Sequence, residues 1–269
     1  MNAPPGAVPP DSPGPAVAAP DAARPDAFPR QGRRPGPPSA RPAPAGSGAA
    51  GAAAAGRPVV AFDLDGTLVR GDSFAGFTRM LIFRNRWRAA LAFLASPLFG
   101  LLFLLPPTRV LGIVGYLWIA TVGLSPAEFE RLAREFAASH ATPDRHITAA
   151  LDRLRAHQEA GDQVVVVTAC AEPLASAVCA ELGLTGVPVI SARLRPGLGA
   201  MIPRQGCMGA GKLRRLGEAG FATQLAHAYT DSRSDVPLLR AAANRYVVSP
   251  SPRTLRRILR ALPDCVVLD

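Results

Sequence analysis

The stretch Val59–Leu68, VVAFDLDGTL, constrains this chain more than any other. Val59, Val60, Ala61 and Phe62 form an apolar run with the pattern of a buried strand in a parallel sheet. Two carboxylates follow at its C-terminal end, Asp63 and Asp65, and then Gly66 and Thr67. Open α/β sheets hold their ligands at the C-terminal ends of strands. Two acids one residue apart are costly to place together unless a cation sits between them or one takes a proton. Asp63 is therefore expected to act as a nucleophile and metal ligand, with Asp65 placed to trade a proton. Gly66 lets the backbone turn sharply beside a bound anion. The plainer reading is a strand that ends in an Asp-Gly turn.

Three later sites complete the first. VVVV (Val164–Val167) reads as a second buried strand delivering Thr168, whose hydroxyl suits a phosphoryl oxygen. Lys212 is the sole lysine in a chain whose basic residues are otherwise all arginine, and an ammonium is a compact partner for a phosphate. In YTDSRSD, Asp231 lies just past a weaker strand, Leu225–Thr230, and Asp235 follows four residues on. Acids so spaced can hold Mg²⁺ directly and through its waters, together with Asp63.

The set DLDGTL, VVVVT, Lys212 and DSRSD resembles the haloacid dehalogenase superfamily of phosphotransferases. The helical insertion after the first strand resembles its phosphoserine phosphatase branch. DLDGTL with Asp72, an apolar basic insertion, Gly211-Lys212 and TDSRSDVPLL is more similar to the phosphatidylglycerophosphatase C type. The resemblance covers roughly residues 58–260. It implies that Asp63 becomes an aspartyl-phosphate, that Asp65 protonates the leaving oxygen and then activates water, and that the Asp65 backbone carbonyl touches Mg²⁺. It further implies a phosphoryl clamp of Thr168 and Lys212, a metal ligand in Asp231 and an outer partner of the metal in Asp235. Two positions depart from the pattern: Thr230 replaces the usual Gly before the metal Asp, and Thr168-Ala169-Cys170 replaces Ser-Gly-Gly. Both weaken assignment to phosphoserine.

The intervening chain bears on the substrate. Residues 1–57 hold fourteen of the 28 prolines and are expected to form a disordered tail. The core is expected in residues 58–71 and 162–269, as an α/β, Rossmann-like parallel sheet, with a helical cap inserted over 72–161. Within the cap, Asp72–Arg88 reads as a basic helix. Ala89–Pro107 then runs nineteen residues without a charge, and Val110–Leu124 another fifteen. A spanning helix needs roughly 20 apolar residues. The chain must return to the side it left if Asp63 and the later residues share one site. The choices over about 89–124 are two crossings, a re-entrant hairpin or a buried helical pair. Helices are expected to open at Ser125-Pro126-Ala127-Glu128, from Thr142-Pro143 to Gly161, and over 172–182, 211–220, 235–243 and 253–262, the last basic and amphipathic. Further strands are expected at 187–190 and 246–249.

The formal charge of +10 comes from 30 basic and 20 acidic residues in a chain rich in Ala, Gly and Pro, so nucleic acid is not expected as a partner. An anionic membrane remains open. Four cysteines without C-x-x-C spacing point to reduced thiols in a cytosolic domain, and no secretory signal follows Met1.

The expectation is a Mg²⁺-dependent phosphomonoesterase on the cytoplasmic side of a bacterial inner membrane, acting on a lipid phosphate such as phosphatidylglycerophosphate. The alternatives are a soluble phosphoserine-type enzyme, which needs an arginine for the carboxylate and an acid such as Asp72 for the amine, and a non-enzymatic membrane interaction protein. GCMGAGK (Gly206–Lys212) also fits the P-loop pattern. That pattern needs Ser or Thr where Leu213 stands and a strand before Gly206, and it leaves Asp63 unexplained.

Overall fold

A computed structural model describes residues 57–104 and 108–269. The expected tail, apart from Arg57, and residues 105–107 of the apolar segment lie outside the described residues. The first strand, β1 (Val59–Phe62), is fully buried. Five helices separate it from β2 (Gln163–Ala171): α1 (Ser73–Phe83), α2 (Arg86–Leu104), α3 (Arg109–Thr121), α4 (Pro126–His140) and α5 (Thr148–Glu159). After β2 come α6 (Leu174–Glu181), β3 (Val189–Gly197), β4 (Ala200–Gln205), α7 (Ala210–Glu218), β5 (Leu225–Thr230), α8 (Val236–Arg240), β6 (Ala242–Val248), α9 (Pro252–Ala261) and β7 (Val266–Leu268).

The described strands form one sheet in the order β4-β3-β2-β1-β5-β6-β7, parallel except where β3 meets β4. This is the expected α/β class with inserted helices. The two-residue period of β1 divides the core between the sheet's faces. Val60 and Phe62 join Phe77, Leu81 and Leu174. Val59 and Ala61 join Leu216, Leu238 and Ile258. The strands on either side of β1 are β2 and β5, so the chain departs from it in both directions. The crevice beyond the C-terminal ends of these strands is where such sheets bind ligands.

Several boundaries differ from the sequence reading. The helix expected over Asp72–Arg88 breaks at Arg84–Asn85, and α2 starts at Arg86. The helix expected from Thr142 is a 3-10 turn, Pro143–Arg145, followed by α5. Residues between them instead pair with the loop after β1: Ile147 N–H donates to Leu68 O at 3.0 Å and Arg70 N–H to Arg145 O at 2.8 Å. The strand at 187–190 extends through Gly197 and doubles back as β4, a hairpin that sequence reading missed. Its arginines and Pro196 disguise it as a loop. A strand therefore does precede Gly206, but it is an antiparallel edge strand rather than the buried parallel strand a P-loop follows. The helix expected over 235–243 is confined to α8, because Ala242 already belongs to β6. Strand β7 was also missed. In α9, Ile258 is fully buried, with Leu262 nearly so, and Arg253, Arg256, Arg257 and Arg260 face solvent, which is ordinary packing on the sheet.

The hairpin supports the inserted helices. Gly123 N–H donates to Gly199 O at 2.8 Å, Trp118 Nε1 to Leu198 O at 2.9 Å, and Met201 N–H to Thr121 Oγ1 at 3.0 Å. The end of α3 is thus fixed to the sheet's edge. Among the described residues no single helix is long and apolar enough to cross a membrane; Val110–Thr121 and Pro126–His140 meet that test jointly, across a 98° bend.

Candidate active site

Asp63 follows β1 directly and continues its ladder, its N–H donating to Tyr229 O at 2.9 Å. The strand tips are held by stacked rings: Phe62 on Tyr229 at 4.2 Å and Tyr229 on Tyr246 at 4.4 Å between centroids. Lys212 projects from the first turn of α7 and is buried. Its ammonium lies 2.7 Å from Asp63 Oδ1 and 2.5 Å from Asp235 Oδ2. With both carboxylates as partners and an antiparallel edge strand before its helix, it is not the lysine of a P-loop, and that reading of Gly206–Lys212 falls.

Thr230 Oγ1 donates to Asp235 Oδ2 at 2.8 Å and accepts from Ser232 N–H at 3.1 Å. That gives the threonine a purpose at the position where the sequence departs from the usual glycine. Asp231 is anchored by its N–H to Thr67 Oγ1 at 3.0 Å. Its carboxylate lies against the turn after Asp65. A Cβ built on Gly66 would stand 2.3 Å from Asp231 Oδ2, and Gly66 has φ +76°. Only glycine satisfies both the close approach and the left-handed backbone.

Asp65 accepts a 2.5 Å hydrogen bond from Ser73 Oγ at the start of α1. Ser73 and Thr67 were given no role in the sequence reading, and their partners are set by how the loop after β1 folds back. Asp72 serves as N-cap of α1, accepting from Ala75 N–H at 2.8 Å, and stands exposed at the pocket. Thr168 is buried inside β2 rather than at its end, where pairing with β3 is irregular between Val167 and Ala171. Its hydroxyl accepts from Cys170 N–H at 3.0 Å.

All seven sequence-derived candidates, Asp63, Asp65, Asp72, Thr168, Lys212, Asp231 and Asp235, line one cavity of about 900 Å³. Its floor is polar and its walls are apolar, built by α1, α2 and α3. Burial raises the Asp63 carboxyl to about 7, while the Lys212 ammonium pulls against it. Burial likewise raises Asp65 to about 6, opposed by the Ser73 hydrogen bond, and raises Asp231. The ammonium of Lys212 is stabilised in its charged form by Asp63 and Asp235 in spite of burial.

The ammonium pairs with Asp63 and Asp235, and Asp65 and Asp231 add two further carboxylates to the same cavity. That donor set suits a hard divalent cation such as Mg²⁺, which takes few carboxylates and keeps several waters. Among the described residues no three His, Cys, Asp or Glu side chains form a ready metal cluster. Asp63 and Asp231 both line the cavity, which leaves two carboxylates available to such a cation.

A mostly parallel sheet with a buried Asp–Lys–Asp cluster beyond its central strand defines an α/β protein with its site at the strand ends. The model of the haloacid dehalogenase-like hydrolases matches residues 60–240, and the chain belongs to that family. A relative named phosphoserine phosphatase SerB1, from Mycobacterium tuberculosis, is 30% identical over 207 residues, 74% of this chain and 67% of that protein. Another, named a probable phosphatase of the same organism, is 31% identical over 112 residues, 40% of this chain. The chain spans only 39% of the length of that relative. A crystal structure of a Bordetella pertussis protein of unknown function superposes with a TM-score of 0.61 at 25% identity, covering 79% of this chain and 98% of the other.

Replacing Gly66 by Ala is expected to lower kcat on the order of 10²-fold, because the Asp231 carboxylate must move by an ångström or more. Steady-state kinetics beside a thermal melt would check this. A fully active, stable variant would free Asp231 from the chemistry.

Proposed function

We propose that this protein is a phosphomonoesterase that works through an aspartyl-phosphate, with residues 72–161 capping the site. The observation that carries the reading is Lys212, buried between Asp63 and Asp235 on the cavity floor. A phosphate dianion is repelled by a bare carboxylate, and the ammonium offsets that repulsion where the phosphoryl group must sit. Mg²⁺, when held by Asp63, Asp231 and the Asp65 carbonyl, supplies further charge neutralisation.

An Asp63 carboxylate oxygen forms a bond to phosphorus as the ester P–O bond breaks. The leaving oxygen takes the proton of Asp65, which the Ser73 hydroxyl orients. Asp65, now ionised, removes a proton from water. The hydroxide attacks phosphorus, the P–O bond to Asp63 breaks, and inorganic phosphate leaves. Lys212 and Thr168 face the non-bridging oxygens throughout.

For the substrate, the relative named phosphoserine phosphatase SerB1 supports a small phosphate ester. The cavity carries matching chemistry: Arg79 and Asp72 both line it, a guanidinium for a carboxylate and an acid for an ammonium. The apolar walls support a second reading, an ester with an extended hydrocarbon part such as a lipid phosphate. A panel of phosphoserine, nitrophenyl phosphate and vesicle-borne lipid phosphates, each with and without Mg²⁺, separates them. Under the first reading Arg79→Ala raises KM for phosphoserine about tenfold, with kcat nearly unchanged and nitrophenyl phosphate unaffected. Turnover of lipid phosphates alone would reverse the preference, and no Mg²⁺-dependent turnover of any ester would overturn the proposal.

A further inference from the structure

Among the described residues, the exposed large apolar side chains concentrate beside the cavity. Of fourteen large hydrophobic side chains exposed among the described residues, ten fall between Phe83 and Ile113, so this is a patch rather than scatter. On α2, Phe93 is 83% exposed and Leu94 78%, and Leu98, Leu101 and Leu104 continue the same face at helical spacing. The opposite face is satisfied by α3. Phe99 packs edge-on to Tyr116 at 4.7 Å, Ser96 and Tyr116 hydroxyls are 3.1 Å apart, and a Cβ on Gly115 would meet the Phe99 ring at 2.4 Å. The exposed face therefore has no partner within the described fold.

The chain that builds the patch carries one sign of charge. From Ser73 to Ala127 there is no acidic residue, and Arg79, Arg84, Arg86, Arg88 and Arg109 all fall in that span. Arg79 and Arg86 are exposed next to the patch, with Trp87 half-exposed at its edge, while Arg84 pairs with Glu135 of α4 at 3.7 Å. A second copy of the chain would set arginines against arginines. The 56 residues before Arg57 also carry more basic than acidic groups, so they are a poor cover. An anionic bilayer meets both demands, apolar insertion and a cationic rim, with tryptophan at the headgroup level.

We infer that the α2–α3 face docks the protein on anionic lipid bilayers, lying in the interface without crossing it. Phe83, Phe93 and Ile113 belong both to the patch and to the cavity wall, so docking sets the cavity mouth against the membrane. The inference stands on this surface alone and not on the reaction proposed above.

The test is co-sedimentation of the full chain with phosphatidylcholine vesicles, with and without phosphatidylglycerol. Expected are binding to the anionic vesicles, about fivefold weaker binding for Arg86→Glu, and loss of binding for Leu94→Glu with Leu98→Glu. Neither leucine lines the cavity, so the double variant keeps turnover of a soluble ester, which also reports its folding. Brominated lipids supply a readout on the unaltered protein by quenching its tryptophan emission. Asp63→Asn binds vesicles as the wild type does, which separates docking from catalysis. Absence of anionic binding and of quenching would overturn the inference. So would a double variant that binds undiminished, or a wild-type dimer by light scattering that the double variant dissolves.

Discussion

Asp63→Asn is expected to lower kcat by at least about 10⁴-fold, the scale of losing a covalent nucleophile. The amide matches the carboxylate in shape, so the buried position after β1 stays filled and the ladder bond to Tyr229 O is retained. The Lys212 ammonium keeps Asp235 as an anionic partner at 2.5 Å. The fold should therefore survive, as circular dichroism and a thermal melt would show. What is lost is the oxygen proposed to attack phosphorus. Acid quench of wild type with ³²P-labelled ester should trap labelled protein, and the variant should trap none. Undiminished activity would remove Asp63 from the mechanism and take the aspartyl-phosphate with it.

Lys212→Met is expected to damage both stability and activity. The ammonium is the cation placed between Asp63 and Asp235, both buried. Removing one member of a buried charge cluster costs about 3–5 kcal/mol, because the remaining charges are left unpaired. The loss depends on pH. Burial has already raised Asp63 to about 7, and removing the ammonium raises it further. A carboxyl whose folded pKa lies above its unfolded value binds more protons when folded. Its contribution is present at low pH and is lost as pH rises through the folded value. The variant should accordingly be less impaired at pH 5 than at pH 8 in urea unfolding. Its kcat should fall by about 10²–10³-fold, the range for removing one preorganised charge-stabilising donor. Arginine should not restore it, since a planar fork does not fit the space of a point charge. A stable, fully active Lys212→Met would sink the phosphoryl clamp.

Much of the site was legible because its chemistry is written locally. Asp63, Asp65 and Gly66 are contiguous, and an apolar run before them announces a strand end. Lys212 stood out by being unique. Ser73 and Thr67 were not legible. Ser73 looks like any residue after an N-cap, and it becomes the partner of Asp65 only when the loop returns eight residues later. Thr67 holds the backbone of Asp231 from 164 residues away. The β3–β4 hairpin was hidden because an edge strand exposed to water carries arginine and proline as a loop does. The apolar segment gave composition but not disposition: a nineteen-residue uncharged run is equally a span, a buried pair or an interfacial helix.

Taken by itself, the sequence determined the parallel sheet, the place of β1 at its centre of chemistry, and the kinds of group that meet there, because apolar periodicity and charge are local properties of a chain. Tertiary structure alone decided that Lys212 lies between two aspartates, that Asp231 rests on Gly66, and that the outer face of α2 is left bare beside the cavity. Those are distances between residues far apart in the chain, fixed by which strands pair and how helices pack across them.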